Sequence, residues 1–129
     1  MGLFNRRSAT PTASEAPAPP LEDIGVDRAA ALHASGVVLL DVREADEWHA
    51  GHAPNAVHLP LGRVATQLQH LRKAPHVLVV CRSGGRSRQA AELLRDAGVR
   101  VSNVAGGMAA WAHAGHPLTA SAGGRAEVR

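Results

Sequence analysis

Apolar and polar positions alternate along the chain in two different rhythms, one typical of strands and one of helices. Residues 37–40 and 77–80 are apolar at every position, as expected for central parallel strands that are buried on both faces. They predict strands over 37–42 and 77–80. Shorter strands are expected around Ile24, at 56–59 and at 99–104.

Helical spacing of apolar residues separates these strands. We expect Asp27 to cap the first helix and Gly36 to end it. The remaining segments repeat apolar side chains at helical spacing or follow a strand closely. The predicted helices cover 28–34, 44–50, a stretch from Leu61 to before Lys73, 87–97 and 108–114.

This order of strands and helices predicts a single α/β domain with a central parallel sheet of about five strands and helices on both faces. We place the domain at residues 21–118. Residues 1–20 have the Ala, Pro and Ser content of a disordered leader, and the small, polar residues 119–129 predict a flexible tail.

Composition excludes several classes of protein. No apolar run approaches the roughly 20 residues of a membrane span, and no secretory signal is recognisable, so we expect a cytoplasmic protein without a membrane partner. Residues 21–118 carry ten Arg and Lys against nine Asp and Glu, a net charge of +1, and the whole chain has three aromatic residues. Nucleic acid is therefore not expected as a partner. Because no apolar helix face is left unexplained, we expect a monomer.

The segment that follows the strand 77–80 carries the candidate chemistry. A lone cysteine ends the strand, and a loop with two glycines and two arginines leads into a helix. Main-chain N–H groups at a helix start favour anions and thiolates, which makes this cysteine a candidate nucleophile. The predicted site consists of the catalytic Cys81 and the binding residues Arg82, Ser83, Gly84, Gly85, Arg86 and Ser87.

These residues also allow other interpretations. A strand-end cysteine is often only a small buried side chain, but the loop after Cys81 suits an anion better than packing. The histidines at 49, 52 and 58 suggest a metal, yet no cysteine or carboxylate stands at ligand spacing, so we expect neither metal nor cofactor. Among the remaining residues, we expect an ion pair or backbone bonds at Asp41 and Arg43, core packing for both tryptophans, and solvated charges at Glu44, Asp46 and Glu47.

Four motifs, in order, resemble the single-domain rhodanese family of sulfurtransferases. Residues 41–44 read Asp-Val-Arg-Glu, and 47–48 with 51–56 resemble the family's Glu-aromatic and Gly-His-Ile-Pro-Gly-Ala segments. Residues 81–87 resemble its active loop, and 104–111 its closing Gly-Gly and Trp segment. Two positions depart from the pattern: Ala53 stands where the family usually has Ile, and Asn55 stands where it usually has Gly.

The resemblance implies a sulfurtransferase in which Cys81 accepts a sulfane sulfur as a persulfide. The donor would be a small anion such as thiosulfate, attracted by Arg82 and Arg86. The acceptor would be cyanide or an external thiol, such as thioredoxin, glutathione or a sulfur-carrier protein. Two alternatives remain: a cysteine phosphatase or arsenate reductase, whose related cell-cycle members have a loop one residue longer, and a non-catalytic binding module.

Overall fold

Five parallel strands form one sheet in the computed structural model, which describes residues 20–129. The strands are β1 (Glu22–Ile24), β2 (Val38–Asp41), β3 (Val57–His58), β4 (Val77–Val80) and β5 (Val101–Val104). They lie in the order β1-β5-β4-β2-β3, and all four pairings are parallel. The predicted fold class is confirmed. Every residue of the central strand β4 is buried, which explains its unbroken apolar sequence.

The helices that connect the strands are α1 (Val26–Ala34), α2 (Ala45–Ala50), a 3₁₀ helix (Leu61–Gln67) with the short α3 (Leu68–Leu71), and α4 (Gly85–Asp96), and α5 (Gly107–His113) follows the last strand. Three details differ from the prediction, the first being that α4 begins at Gly85, two residues earlier than expected. The first helix begins earlier than expected, with Gly25 at its N-cap, so Asp27 lies within its first turn and does not cap it. The apolar spacing after Leu61 belongs mostly to a 3₁₀ helix, where Gly62 weakens α-helix formation.

The strands bury one apolar cluster on each face of the sheet. Alternate side chains of β4 point to opposite faces, so Val77 and Val79 belong to one cluster and Leu78 and Val80 to the other. The first cluster is completed by residues of the 3₁₀ helix, α3 and α4, including Val64, Leu71, Ala90 and Leu94. The second is completed by residues of α1 and α5, including Ala29, Met108 and Trp111.

A buried ion pair stands at the end of β2. The guanidinium of Arg43 donates to both carboxylate oxygens of Asp41, with Nη2 2.7 Å from Oδ2, and both side chains are fully buried. The same Nη2 donates to the carbonyl of Gly51 at 2.7 Å. The pair therefore ties the end of β2 to the segment that follows α2, as expected for these residues.

The C-terminal segment 119–129 makes defined contacts with the domain. Thr119 and His52 exchange main-chain hydrogen bonds, and the Glu127 N–H donates to the carbonyl of Ala50 at 3.0 Å. The flexibility predicted for this tail stays a prediction. The leader expected at 1–20 lies outside the described residues, apart from Pro20. Within residues 20–129, none of the helices has the length and apolarity that a bilayer crossing requires.

Candidate active site

Cys81 follows β4 directly, and the loop after it turns back over the sulfur. The Gly84 N–H donates to the Cys81 Sγ at 3.1 Å. Gly84 adopts a φ of 118°, a left-handed conformation that favours glycine, and it is the N-cap of α4. The second loop glycine, Gly85, is not among the positive-φ residues and begins the helix. One glycine therefore makes the turn.

A buried polar chain lies beside the sulfur. The Ser87 hydroxyl is 3.4 Å from the Cys81 Sγ, 3.1 Å from the Gly84 carbonyl and 2.6 Å from the Asn103 Oδ1. The Asn103 amide nitrogen donates to Asp23 at 3.0 Å, which orients its oxygen toward Ser87. Since a hydroxyl has only one proton, the sulfur competes with the amide for it.

These contacts set the ionisation of the cysteine. Burial raises the pKa of the Cys81 thiol, because it removes water from the thiolate. The Ser87 hydroxyl and the backbone N–H groups of Ser87, Gly84 and Ser83 act in the opposite direction and outweigh it, so the pKa lies below its usual range. The thiol is only 1% exposed, yet it is surrounded by donors, and this combination favours a nucleophile over an inert core cysteine.

Helix α5 holds the same loop from the other side. The Met108 N–H donates to the Cys81 carbonyl at 2.7 Å, and the Ala109 N–H donates to the Arg82 carbonyl at 2.9 Å. Such an approach requires glycine at position 107, because a Cβ there would lie 2.4 Å from the Cys81 carbonyl oxygen. Gly107 also has a φ of 59°. This contact gives a physical reason for the Gly-Gly segment of the sequence motif.

Arg86 forms an ion pair that the sequence analysis missed. Its Nη1 and Nη2 donate to the two carboxylate oxygens of Glu47 at 2.7 and 2.9 Å. Glu47 was expected to be an ordinary solvated charge, whereas its side chain is only 15% exposed. The hydrogen bond from Arg86 lowers the pKa of Glu47 to about 2, against a smaller opposing effect of burial. Hydrogen bonding to Glu47 correspondingly raises the pKa of Arg86.

The remaining loop residues contribute in different ways. The Arg82 Nε donates to the main-chain oxygen of Arg129 at 2.7 Å, and the rest of its side chain is exposed. Ser83 and Gly85 are exposed, and of these Ser83 contributes its backbone N–H to the sulfur. The structure therefore brings Ser83, Gly84 and Ser87 to the sulfur. The roles of Arg82 and Arg86 in donor binding stay predictions.

Two of the histidines considered as metal ligands stack on a tryptophan instead. Trp48 lies nearly parallel to His52 and His58, with ring centroids 3.6 and 4.8 Å away. His52 Nδ1 lies 2.7 Å from the Trp48 carbonyl oxygen, and His58 Nε2 lies 2.8 Å from that of Arg43. In residues 20–129, no group of three or more His, Cys, Asp or Glu side chains is placed to hold a metal. Trp111 is 2% exposed, as predicted for the core, whereas Trp48 is half-buried.

Glu47, Asn103 and Asp23 are the site residues that sequence reasoning did not find. Glu47 and Asn103 contact the loop from different elements, and Asp23 acts through Asn103, so no local pattern connects the three with Cys81. Glu47 did belong to one of the recognised motifs, but only as the residue before Trp48. Its partner Arg86 lies 39 positions away in the sequence, and local residue spacing does not predict contacts over such a separation.

Comparisons with known proteins agree with this geometry. The family model described as "Rhodanese-like domain" matches residues 26–114. A "Sulfurtransferase" from Allochromatium vinosum is 39% identical over 88 residues, which cover 67% of this chain and 82% of that protein. The "Putative sulfur carrier protein YrkF" from Bacillus subtilis is 39% identical over 74 residues, which cover 57% of this chain but only 40% of the relative.

A solved structure shows the same architecture. The crystal structure of a rhodanese-related protein from Thermoplasma volcanium superposes with a TM-score of 0.70 at 27% identity. The superposition covers 76% of this chain and 97% of that chain. The match therefore spans nearly the whole of that protein.

Proposed function

From the premise that this chain belongs to the rhodanese-like family, we propose that it moves a sulfane sulfur from a small donor to an external acceptor through a persulfide on Cys81. Sulfur transfer is the activity named for its relatives. The persulfide, the donor and the acceptor are the proposal. One observation supports them above all others: the Gly84 N–H lies 3.1 Å from a thiol whose pKa is lowered by its hydrogen-bond donors.

The proposed reaction has two displacements. In the first, the Cys81 thiolate forms a bond with the outer sulfur of thiosulfate, the S–S bond of the donor breaks, and its electron pair leaves with sulfite. In the second, cyanide or an acceptor thiolate attacks the outer sulfur of the persulfide. The Cys81 thiolate then leaves and is regenerated. No electron is gained or lost overall, so neither a metal nor a redox cofactor is needed.

The N–H groups that lower the pKa of the thiol support a persulfide at the same position. Gly84 donates to the inner sulfur, and the start of α4 presents further N–H groups that have no partner within the helix. An outer sulfur that carries negative charge would be stabilised by the same donors. The buried Ser87 hydroxyl adds a donor that can rotate between sulfur and Asn103.

Ester hydrolysis is less well supported by this site. A cysteine phosphatase benefits from an acid that protonates the leaving oxygen. Glu47 is the carboxylate paired with the loop arginine, and with a pKa of about 2 it stays ionised near neutral pH. In addition, only four residues separate Cys81 from Arg86. Hydrolysis of an aryl phosphate at a rate that matches sulfur transfer would reverse this order.

The test is the intact mass of the protein after incubation with thiosulfate. We expect one additional sulfur, located on the Cys81 peptide and removed by cyanide. A Cys81→Ser variant should gain none and should form no thiocyanate. As a matched control, Cys81→Ser combined with Ser121→Cys keeps a single thiol at an exposed position outside the loop. Equal loading of that control would contradict the role of the loop.

The biological setting of the reaction is also a proposal. Cys81 is the only cysteine of the chain, so the acceptor thiol has to come from another molecule. Thioredoxin, glutathione and a sulfur-carrier protein are candidates of suitable chemistry. A monomer in the cytoplasm is the setting that the sequence favours.

A further inference from the structure

The ion pair of Glu47 and Arg86 is the strongest charged contact at the active loop. Two parallel hydrogen bonds of 2.7 and 2.9 Å join the guanidinium to the carboxylate, which is the most favourable geometry for such a pair. The carboxylate is also held from its own helix, because its Oε1 accepts the Glu44 N–H at 3.0 Å in a capping box. Glu47 is therefore fixed in front of Arg86.

This pair changes the charge that a donor meets. Arg86 directly precedes Ser87, whose hydroxyl lies 3.4 Å from the Cys81 Sγ, so the loop around the sulfur carries the guanidinium as a counter-ion. Glu47 neutralises that counter-ion, and Glu44 acts on Arg86 in the same sense. The thiolate, Arg86 and Glu47 together carry a net charge of −1; Arg82 is not counted with them, because its Nε binds the main-chain oxygen of Arg129. A dianion that approaches the sulfur is repelled more than a monoanion.

We propose that Glu47, by occupying the guanidinium of Arg86, makes the site select sulfane-sulfur donors with one negative charge or none over the dianion thiosulfate. The inference rests on the proposed transfer through Cys81 and adds a donor class, that of organic persulfides and thiosulfonates. A persulfide reacts as thiosulfate does: the Cys81 thiolate bonds to its outer sulfur, the S–S bond breaks, and the electron pair leaves with the donor thiolate. Glu47 acts here through Arg86 and is a specificity-determining residue, not a catalytic one.

Two donors that differ mainly in charge provide the test. Methanethiosulfonate has a methyl group in place of one oxygen of thiosulfate, so it carries one negative charge where thiosulfate carries two. We compare kcat/KM for the two donors and follow their ratio. In Glu47→Gln, the ratio of kcat/KM for thiosulfate to that for methanethiosulfonate should rise about fivefold. The variant removes the repulsion between Glu47 and the donor across a partly hydrated site, and thiosulfate carries one more negative charge that was repelled.

Glu47→Gln is suited to this purpose because glutamine keeps the hydrogen bond of the capping box while it removes the charge. Asp46→Asn is the matched control: it removes one carboxylate from the same helix at an exposed position and should leave the ratio unchanged. Arg86→Ala should change the ratio in the opposite direction, about fivefold down, because it leaves Glu47 without its partner. Thermal unfolding of each variant establishes that it is folded.

Ionic strength gives a second readout that a purely structural role would not change. Salt should raise kcat/KM for thiosulfate in the unaltered protein, where it screens the repulsion of the dianion, and should change it much less in Glu47→Gln, where the thiolate and Arg86 cancel. A ratio that stays constant or falls in Glu47→Gln would overturn the inference while leaving transfer through Cys81 intact. Failure of both donors to place sulfur on Cys81 in the unaltered protein would instead contradict the proposed function.

Discussion

The active loop 81–87 is held on two sides by contacts of different kinds. On the inner side, the N–H groups of Met108 and Ala109 donate to the carbonyls of Cys81 and Arg82. On the outer side, Glu47 binds the Arg86 side chain. The inner contacts join main chain to main chain, and the one between Met108 and Cys81 is buried, whereas the outer contact joins two charged side chains that are 15% and 35% exposed.

The two kinds of contact therefore control different properties of the loop, its geometry and its charge. Buried main-chain hydrogen bonds are costly to leave unmade and leave little freedom to the loop. A partly exposed ion pair contributes about 1 kcal/mol or less to stability and can be changed without moving the backbone. The inner side therefore fixes where the sulfur lies, and the outer side sets the electrostatic potential around it. Changes on the two sides should have different consequences.

The largest effect is expected from Gly107→Ala on the inner side. The new Cβ would lie 2.4 Å from the Cys81 carbonyl oxygen and 2.5 Å from main-chain atoms of Arg82, so α5 and the loop have to separate. Backbone strain and two weakened hydrogen bonds together should reduce the free energy of unfolding by about 3 kcal/mol. Displacement of the sulfur should lower sulfur transfer about a hundredfold. Urea denaturation and kcat/KM measure the two effects.

Gly115→Ala is the control for this experiment. Gly115 also has a positive φ, of 82°, but a Cβ there would meet nothing within 4 Å. Gly115→Ala should lose about 1 kcal/mol of stability, from backbone strain alone, and should keep its activity. Equal losses of stability and activity in both variants would show that contact with the loop is not what requires glycine at 107.

The fold and the loop were accessible from sequence for a simple physical reason. The strands at 37–42 and 77–80 can be recognised from their apolar runs, because both of their faces are buried. Cys81 and the loop glycines lie in one continuous segment of the sequence. Local periodicity and turn chemistry act over a few residues, and here they were sufficient. The 3₁₀ winding of Leu61–Gln67 was missed because its apolar spacing also suits an α-helix.

The supports of the loop could not be obtained in the same way. The partnership of Glu47 with Arg86 and the contact of Gly107 with Cys81 depend on how distant segments pack. A carboxylate near the start of a short helix has the same local signature whether it faces solvent or an arginine. What the sequence did supply was the motif membership of Glu47 and Gly107, without the reason for it.

An intermediate effect is expected from Ser87→Ala, which changes the donors around the sulfur but not the backbone. Loss of the hydroxyl should raise the pKa of Cys81, because the side chain of Ser87 is the strongest of the contacts that lower it. Since one pKa unit corresponds to a tenfold change, persulfide formation near neutral pH should slow about tenfold and recover at higher pH. Thiolate absorbance against pH measures the shift for Cys81 alone, the single cysteine of the chain.

Ser102→Ala provides the matched comparison for Ser87→Ala. Ser102 is also a buried serine, on β5, and its hydroxyl contacts Glu22 and His76 instead of the sulfur. The thiolate titration should not move in this variant. If Ser87→Ala left the titration of Cys81 where it is in the unaltered protein, the hydroxyl would have no part in stabilising the thiolate.

The smallest effect is expected on the outer side, in the acid stability of Glu47→Gln. The pKa of Glu47 is lowered to about 2 in the folded protein from an ordinary value of 4.5. A carboxylate with a lowered pKa stabilises the fold above its ordinary pKa, and this contribution is lost as the pH falls from about 4.5 toward 2. Solvent screens this partly exposed pair, so we expect the free energy of unfolding of the unaltered protein to exceed that of Glu47→Gln by about 1 kcal/mol near neutral pH.

Urea denaturation of both proteins between neutral pH and about pH 2 measures this difference directly, and it should shrink as Glu47 becomes protonated. Asp46→Asn serves as the reference, because within the described residues its carboxylate forms no ion pair. A stability difference for Glu47→Gln that is large and independent of pH would mean that the carboxylate holds the loop in place. In that case the outer ion pair would fix the geometry of the loop, as the inner contacts do, and would not act through its charge alone.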